Sequence, residues 1–348
     1  MRLGNALEYS GDPMGAANLV AEREQAGIDV VWVAEAWGFD SPTLMGYLAG
    51  RTTSVEIGSG IINVFSRTPA AIAQTAAGLD NVSGGRAILG LGASGPQVIE
   101  GFHGVAYDKP LSRIRDVIHV VRDVLRCEAP LRYDGASVSI PLPPGDGTGL
   151  GKPLKLINRP TRAAVPIYVA SVTDKSVQMT AEIAEGWWPA MFMPETADAV
   201  WGGPLKAGLA RRDAALGPME IACGPLALAI AEGDERERLL DAARDPIALY
   251  VGGMGAAGKN FYNDVFVRAG FADAAREIQR LYLSGKKAEA AALVPRTALE
   301  NMNLIGSPGF IRERIAAYAE SGVTMLNVTP ISPDPDLLAT VKSWLPGG

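Results

Sequence analysis

Apolar residues follow two rhythms along this chain: short unbroken runs, and longer stretches with an apolar position every third or fourth residue. "DVVWVAE" (29–35) is continuous and rich in valine, the pattern of a strand covered on both faces. Comparable runs at 2–8, 55–62, 86–92, 166–171, 186–191, 221–231 and 323–329 predict seven more strands. Helical patterns lie between them at 15–27, 41–52, 69–83, 174–186, 194–215, 307–322 and 335–345. The clearest helix places Leu111, Ile114, Val117, Ile118, Val121, Val124 and Leu125 on one stripe. Pro69 suits the first position of its helix, where no amide hydrogen is needed. Two stretches interrupt the alternation, near 128–160 and 250–305. The first carries "RYDGAS", a hairpin signal with Asp-Gly at the turn, and then the Gly/Pro-rich "PLPPGDGTGLGKP". The second carries "GGMGAAGKNFYND", too rich in glycine for a helix interior. About eight strand–helix units in one continuous run predict an α/β fold, a (β/α)8 TIM barrel with insertions, occupying 1–348 as one domain. An open doubly wound sheet is the rival, and the number of units favours the barrel.

Composition narrows the function classes. The chain has 348 residues, 48% hydrophobic and 20% charged, which suits a globular protein with a large core. A net charge of −6 without basic clusters excludes a nucleic-acid footprint. No apolar run reaches the ~20 residues that span a bilayer, and the first residues lack the apolar region of a signal peptide. Cys127 and Cys223 form no C-x-x-C, so reduced thiols in the cytoplasm are expected. His103 and His119, the only histidines, make no metal-ligand set.

The stretch "GLGASG" (90–95) matches G-x-G-x-x-G. A dinucleotide fingerprint also needs the first strand of a βαβ unit, a helix opening at the motif, and an acid about 20 residues on at a strand end. Here Pro96 and a loop-like "EGFHGVAYD" follow, and Asp116 lies inside a helical pattern. The glycines instead end the fourth strand, at the edge where barrel active sites lie.

Five segments resemble the bacterial-luciferase-like flavin and deazaflavin superfamily, in the branch that uses coenzyme F420. They are "GIDVVWVAEAWGFDSP" (27–42), the run from Val55 to Gln97, "GFHGVAYDKPLSRIRD" (101–116), "VPIYVASVTDKSVQMTAEIAEGWWP" (165–189) and "NLIGSPGFIRERIAAYAESGVTMLNVTP" (303–330). Methylene-tetrahydromethanopterin reductase and F420-dependent glucose-6-phosphate dehydrogenase belong to that branch. The resemblance implies a cofactor ring at the C-terminal mouth of the barrel and a non-prolyl cis peptide at Gly60–Ile61 behind it. Asn63, just past that peptide, and Gly92, Ala93 and Ser94, at the end of the fourth strand, are the candidate contacts to the ring or its tail. The resemblance also implies a phosphate at the turn Ser171, Val172 and Thr173, where a helix start attracts anions. That turn lacks the family's usual Gly-Pro, and Thr173 also suits a helix N-cap.

Glu8 and Glu35 end the first two strands, where relatives place acids near the ring, and are the candidate proton donors. The sugar-oxidising branch has a histidine after the second acid; Ala36 and Trp37 stand there instead, against sugar oxidation by that mechanism. Trp37, His103, Asn260 and Tyr262 are the candidate substrate contacts. His119, on a polar helical stripe, reads as a solvated surface residue. The expected function is an F420-dependent oxidoreductase acting on a small organic substrate, with no metal. An FMN-dependent monooxygenase and a non-catalytic flavin binder are the alternatives. A homodimer is expected, pairing through the Ala-rich helix 69–83.

Overall fold

In the computed structural model, which describes residues 1–7 and 11–347, the expected strands close into a parallel barrel. They are β1 (Arg2–Leu7), β2 (Val30–Val33), β3 (Glu56–Ser59), β4 (Ala87–Gly92), β5 (Ile167–Ala170), β6 (Gly186–Trp188), β7 (Glu220–Ile230) and β8 (Met325–Pro330). Each pairs in parallel with its neighbours, and β8 pairs with β1 in register Arg2↔Met325 to close the ring. Leu304–Gly306 adds a short parallel strand to the end of β7, one the apolar pattern had not shown. The Gly60–Ile61 peptide is cis, and β3 continues past it as Ile62–Asn63. Ile57 pairs with Ala87 but Ile62 with Leu91, so β3 carries one residue more than β4 across this interval, a bulge. Ser59 bridges the gap, its Oγ accepting from Gly90 N at 2.9 Å and donating to Gly90 O at 2.8 Å.

Strand residues alternate between the outer layer and the lumen. Leu3, Val31, Val33, Ile57, Leu89, Leu91, Ile167 and Val169 face outward into the core shared with the helices. The lumen cluster is Val30, Trp32, Ile88, Tyr168, Trp188, Ala222 and Met325. Three large rings fit there because the facing residues have no side chain. A Cβ on Gly58 would overlap the Trp32 ring, and one on Gly186 would overlap Tyr168. Trp32 lies 4.7 Å from Trp188 and 5.3 Å from Tyr168, and its indole donates to Asn327 Oδ1 at 2.8 Å. Below them Arg2 ion-pairs with Glu56 and Glu220, and the Tyr168 hydroxyl donates to Glu220. The N-terminal end of the barrel is therefore plugged.

The helices mostly match their expected spans, Pro69–Ser83 to the residue. Thr68 caps that helix, Pro69 begins it and Gly84 ends it in the left-handed region. The helix expected at 15–27 is two, Pro13–Asn18 and Val20–Gln25, and the helical excursion begins at Gly233 rather than 250. The hairpin pairs Tyr133–Asp134 with Ser139–Ile140 and is tied to Asp116, which accepts from Tyr133 Oη, Ser137 N and Ser137 Oγ at 2.7–2.8 Å. Burial would raise the Asp116 carboxyl, but these bonds hold it below its ordinary value. Asp116 thus anchors a hairpin. His119 is half-buried rather than solvated, because that hairpin lays Tyr133 over it at 6.3 Å.

Candidate active site

At the C-terminal mouth the lumen opens onto mostly small residues and Ile61. Ala6, Gly60, Ile61, Ala170 and Thr329 are all half-buried at strand ends, directly above the buried Trp32 and Trp188. Gly60 leaves little room for a side chain, since a Cβ would stand 3.0 Å from the Trp188 ring. Gly92 faces Ile61, whose Cδ1 would lie 2.8 Å from an added Cβ. The result is a mostly apolar floor of short side chains around Ile61.

A hydrogen-bonded chain of side chains runs along the rim from β2 to the loop after β4. Arg67 donates to both oxygens of Glu35, Nη1 to Oε1 at 2.7 Å and Nη2 to Oε2 at 3.0 Å. Ser41 donates its N and its Oγ to the same carboxylate, each at 2.9 Å. Arg67 also reaches Ser66 Oγ at 3.1 Å, and Ser66 Oγ donates to Asn63 O at 3.2 Å. Asn63 is buried, and its Nδ2 lies 3.4 Å from His103 Nε2. Phe102 and Trp37, both exposed, flank this chain at its two ends.

On the next strand, Ala170 leads directly into the start of the helix Asp174–Ile183. Val172, Thr173, Asp174 and Lys175 line a cleft of about 360 Å³ with Phe261, Asp264, Val265 and Arg268 from the second insertion. Arg268 pairs with Asp174 at 2.9 Å. Thr173 N donates to Ser176 Oγ at 3.1 Å, which caps the helix from its own sequence. Lys175 and Arg268 bring two cations to this helix start, beside the carboxylates of Asp174 and Asp264.

Aromatic residues link the mouth loops. Ser94 sits in the left-handed region at φ 56, and its carbonyl accepts from Tyr107 Oη at 3.1 Å. Tyr107 packs 5.2 Å from Phe65, and burial followed by the nearby Tyr262 hydroxyl raises its own hydroxyl above the ordinary value. Tyr262 meets Tyr250 edge-on at 4.9 Å. Ala93, half-buried, completes the turn between Gly92 and Ser94.

The structure thus gathers Gly60, Ile61, Asn63, Gly92 and His103 on one side of the mouth, and Val172 and Thr173 at the cleft. Three candidates are placed differently. Glu35 lies two residues past the end of β2 and is buried, its carboxylate accepting four bonds from Ser41 and Arg67. Ser171 has outward parity, and its Oγ lies 3.0 Å from Thr180 Oγ1. Asn260 is buried: its Nδ2 donates to the Tyr250 and Val251 carbonyls, and its Oδ1 accepts from Tyr262 N and Asn263 N. It caps the helix Phe261–Arg268 and has no bonding capacity left for a ligand. Glu8 lies outside the described residues. The sequence reading missed Arg67, Tyr107, Lys175 and Arg268. Of these only Arg67, a cation directly after an apolar strand, left a local signal.

A closed parallel barrel with a plugged base, an apolar floor at its mouth and a cleft at the helix start beside it is a (β/α)8 barrel. The chain belongs to the luciferase-like monooxygenase family, whose profile matches residues 1–325. It is 39% identical over 332 residues to a Mycobacterium tuberculosis protein provisionally named a coenzyme F420-dependent oxidoreductase, covering 94% of this chain and 95% of that one. It is 27% identical to the 5,10-methylenetetrahydromethanopterin reductase of Archaeoglobus fulgidus over 89% of this chain and 88% of that one. Among solved structures, the F420-dependent tetrahydromethanopterin reductase of Methanopyrus kandleri has the same fold, with TM-score 0.77 and 22% identity over 98% of this chain and 96% of that one. An F420-dependent secondary alcohol dehydrogenase superposes with TM-score 0.72 and 17% identity, 99% of each chain covered.

Proposed function

We propose that the protein is an oxidoreductase that uses coenzyme F420 and exchanges a hydride with a small organic substrate in the barrel mouth. The observation that carries this reading is the adjacency of floor and cleft: Ala170 belongs to the floor, and Val172 to Lys175 already line the cleft. That arrangement fits a ligand made of a planar ring with an anionic tail. The names of the relatives favour F420 within that class. The floor residues would support the ring, and Thr173, Lys175 and Arg268 the tail phosphate. The deazaflavin would supply the hydride chemistry at its C5. The protein orients the ring, excludes water and manages a proton. Glu8 is proposed as the proton donor from its place at the end of β1 in the sequence, and Glu35 with Arg67 as the brace of the rim. Turnover of Glu8→Gln should fall by ~10²-fold or more with cofactor affinity kept.

An FMN-dependent monooxygenase is the second reading, favoured by the family's own description. Titration of the purified protein with F420 and with FMN, followed by oxidation of each reduced cofactor against a panel of enones, imines, nitroaromatics and aldehydes, separates the two. Tighter FMN binding with oxygen consumption overturns the F420 reading. Absence of turnover with every acceptor leaves a non-catalytic binder.

The proposed assembly is a homodimer through the helix Pro69–Ser83, whose outer face exposes Gln74, Gly78 and Val82. Light scattering that gives a monomer at micromolar concentration rejects it. The proposed compartment is the cytoplasm, where Cys127 and Cys223, both free thiols, stay reduced. Among the described residues no helix is long and apolar enough to cross a membrane. None of them forms a group of three or more His, Cys, Asp or Glu that would hold a metal ion.

A further inference from the structure

The orientation of the Asn63 amide is set by its own turn. Asn63 Oδ1 accepts from Phe65 N at 3.1 Å and from Ser66 N at 2.7 Å. Turning the amide over would set its NH2 group against two backbone N–H groups, so the assignment follows from the bonding. Nδ2 is left facing His103 Nε2 at 3.4 Å. An amide nitrogen offers only protons, so Nε2 must accept. In the neutral ring the proton then sits on Nδ1. The turn is held in place by the Arg67–Ser66–Asn63 chain and its brace on Glu35. Phe102 packs edge-on against the imidazole at 5.1 Å and 80°.

We propose that Asn63 holds neutral His103 as the Nδ1–H tautomer, and that this N–H is the hydrogen-bond donor to the substrate at the mouth. The substrate class follows from the donor. The carbon that exchanges the hydride is doubly bonded to an acceptor, as in a carbonyl or an imine, because the donor stabilises the negative charge that gathers on that heteroatom. A substrate reduced at an isolated carbon–carbon double bond has no partner for it. The substrate role rests on the oxidoreductase reading above; the tautomer does not.

The tautomer is read by long-range ¹H–¹⁵N correlation at alkaline pH on the apoprotein. The chain has two histidines, and a His119→Gln variant assigns the signals. The expected result is a protonated Nδ1 and an unprotonated Nε2 on His103. In Asn63→Asp the carboxylate accepts where the amide donated, and the tautomer should reverse. An Nε2–H in the wild type, or no change in Asn63→Asp, overturns the proposal. The substrate role is read with reduced F420 and a carbonyl acceptor. His103→Leu should lose about 10²-fold in kcat with the Kd for F420 unchanged. His103→Asn, whose amide nitrogen falls near the position of Nδ1, should recover at least tenfold of that loss. Equal kcat in His103→Leu and wild type overturns the substrate role. If the protein fails to bind F420, the oxidoreductase reading falls, while the NMR measurement still decides the tautomer.

Discussion

Two lumen-facing glycines should respond oppositely to the same added methyl group. On Gly92 a Cβ would meet Ile61 Cδ1 at 2.8 Å and Cγ1 at 3.1 Å, with Ala170 Cβ at 3.7 Å. Ordinary carbon contacts lie at about 3.5–4.0 Å, so the end of Ile61 must retreat by roughly 0.7 Å. Ile61 is half-buried under an open mouth and can turn upward. The strain is therefore small, and the loss of glycine's freedom in the unfolded chain offsets about 0.4–1 kcal/mol of it. Gly92→Ala should keep its melting temperature within a few degrees. The raised Ile61 now stands on the floor, and F420 affinity should fall about tenfold, or about 1.4 kcal/mol. On Gly58 the added Cβ overlaps the Trp32 ring, which is enclosed by Trp188 and Tyr168 and tied to Asn327. Overpacking of about 1–3 kcal/mol adds to about 1 kcal/mol for the indole hydrogen bond. Gly58→Ala should lose several degrees. Denaturant melts and F420 titrations of both variants test this together. A Gly92→Ala protein with weakened stability and unchanged affinity would refute the assignment of Ile61 to the floor. A Gly58→Ala protein as stable as wild type would refute the packing argument.

Glu35→Gln should cost roughly 2–3 kcal/mol, because Arg67 loses its bidentate partner in a mostly buried pair, while kcat of the folded variant stays within a few-fold; a hundredfold loss in kcat would return Glu35 to proton transfer. Lys175→Glu should weaken F420 binding at least tenfold and leave the melt unchanged, since Lys175 is exposed at the cleft; unchanged affinity at low salt would move the phosphate elsewhere. The Glu24 carboxyl is a site of acid sensitivity. Burial would raise it, but the amides of Val55, Ser54 and Thr53 and the Ser54 hydroxyl hold it at about 2, against an ordinary 4.5. Its stabilisation is full above pH 4.5 and is lost as pH falls towards 2, because the unfolded chain takes up the proton first. Discounted for its partial exposure, the effect is about 1 kcal/mol, and the stability gap between wild type and Glu24→Gln should close over that range in acid urea melts.

The barrel was legible because parallel strands buried on both faces read as unbroken apolar runs, and the interleaved helices carry their own stops. Pro69 and Gly84 bracket one helix with no tertiary help. Site residues followed a subtler signal, the parity of each position. Trp32 faces the lumen, so Val33 does not; Glu35 lies past the end of β2, and the Ser41 and Arg67 groups that occupy its carboxylate come from later in the chain. Ser171 follows Ala170 as Val33 follows Trp32. Asn260 carried a helix-cap signature in "KNFYND" that its place in a Gly-rich segment obscured. Other features are invisible locally. Tyr107 lies near Tyr262 across more than a hundred residues, and Lys175 shares a cleft with Arg268 only because the second insertion folds back on the helix start. His119 looked solvated because its cover, Tyr133, arrives from a hairpin beyond its own helix. The hairpin partners of Asp116 explain in the same way why that acid is a structural anchor.

The glycines of "GLGASG" now have separate explanations, none of which involves a dinucleotide. A Cβ on Gly90 would overlap the Ser59 carbonyl, where the bulged β3 crowds β4 and the Ser59 hydroxyl replaces a ladder bond. Gly92 leaves the space that Ile61 fills. Gly95 has extended backbone at φ −119, and an added Cβ would approach only the Gln97 side-chain oxygen at 3.1 Å. The third glycine is therefore not sterically required, although a dinucleotide fingerprint needs its third glycine for close helix–strand packing. Gly95→Ala should match wild type in stability and in F420 affinity, because Gln97 is exposed and can swing aside. Gly90→Ala should lose stability by the few kcal/mol typical of forced overpacking. Melts and cofactor titrations of the two variants decide between the readings. Gly95→Ala and Gly90→Ala failing alike, with NAD bound by the wild type, would mean that the motif works as a phosphate loop; a loss confined to Gly90→Ala means that barrel packing alone produced the match.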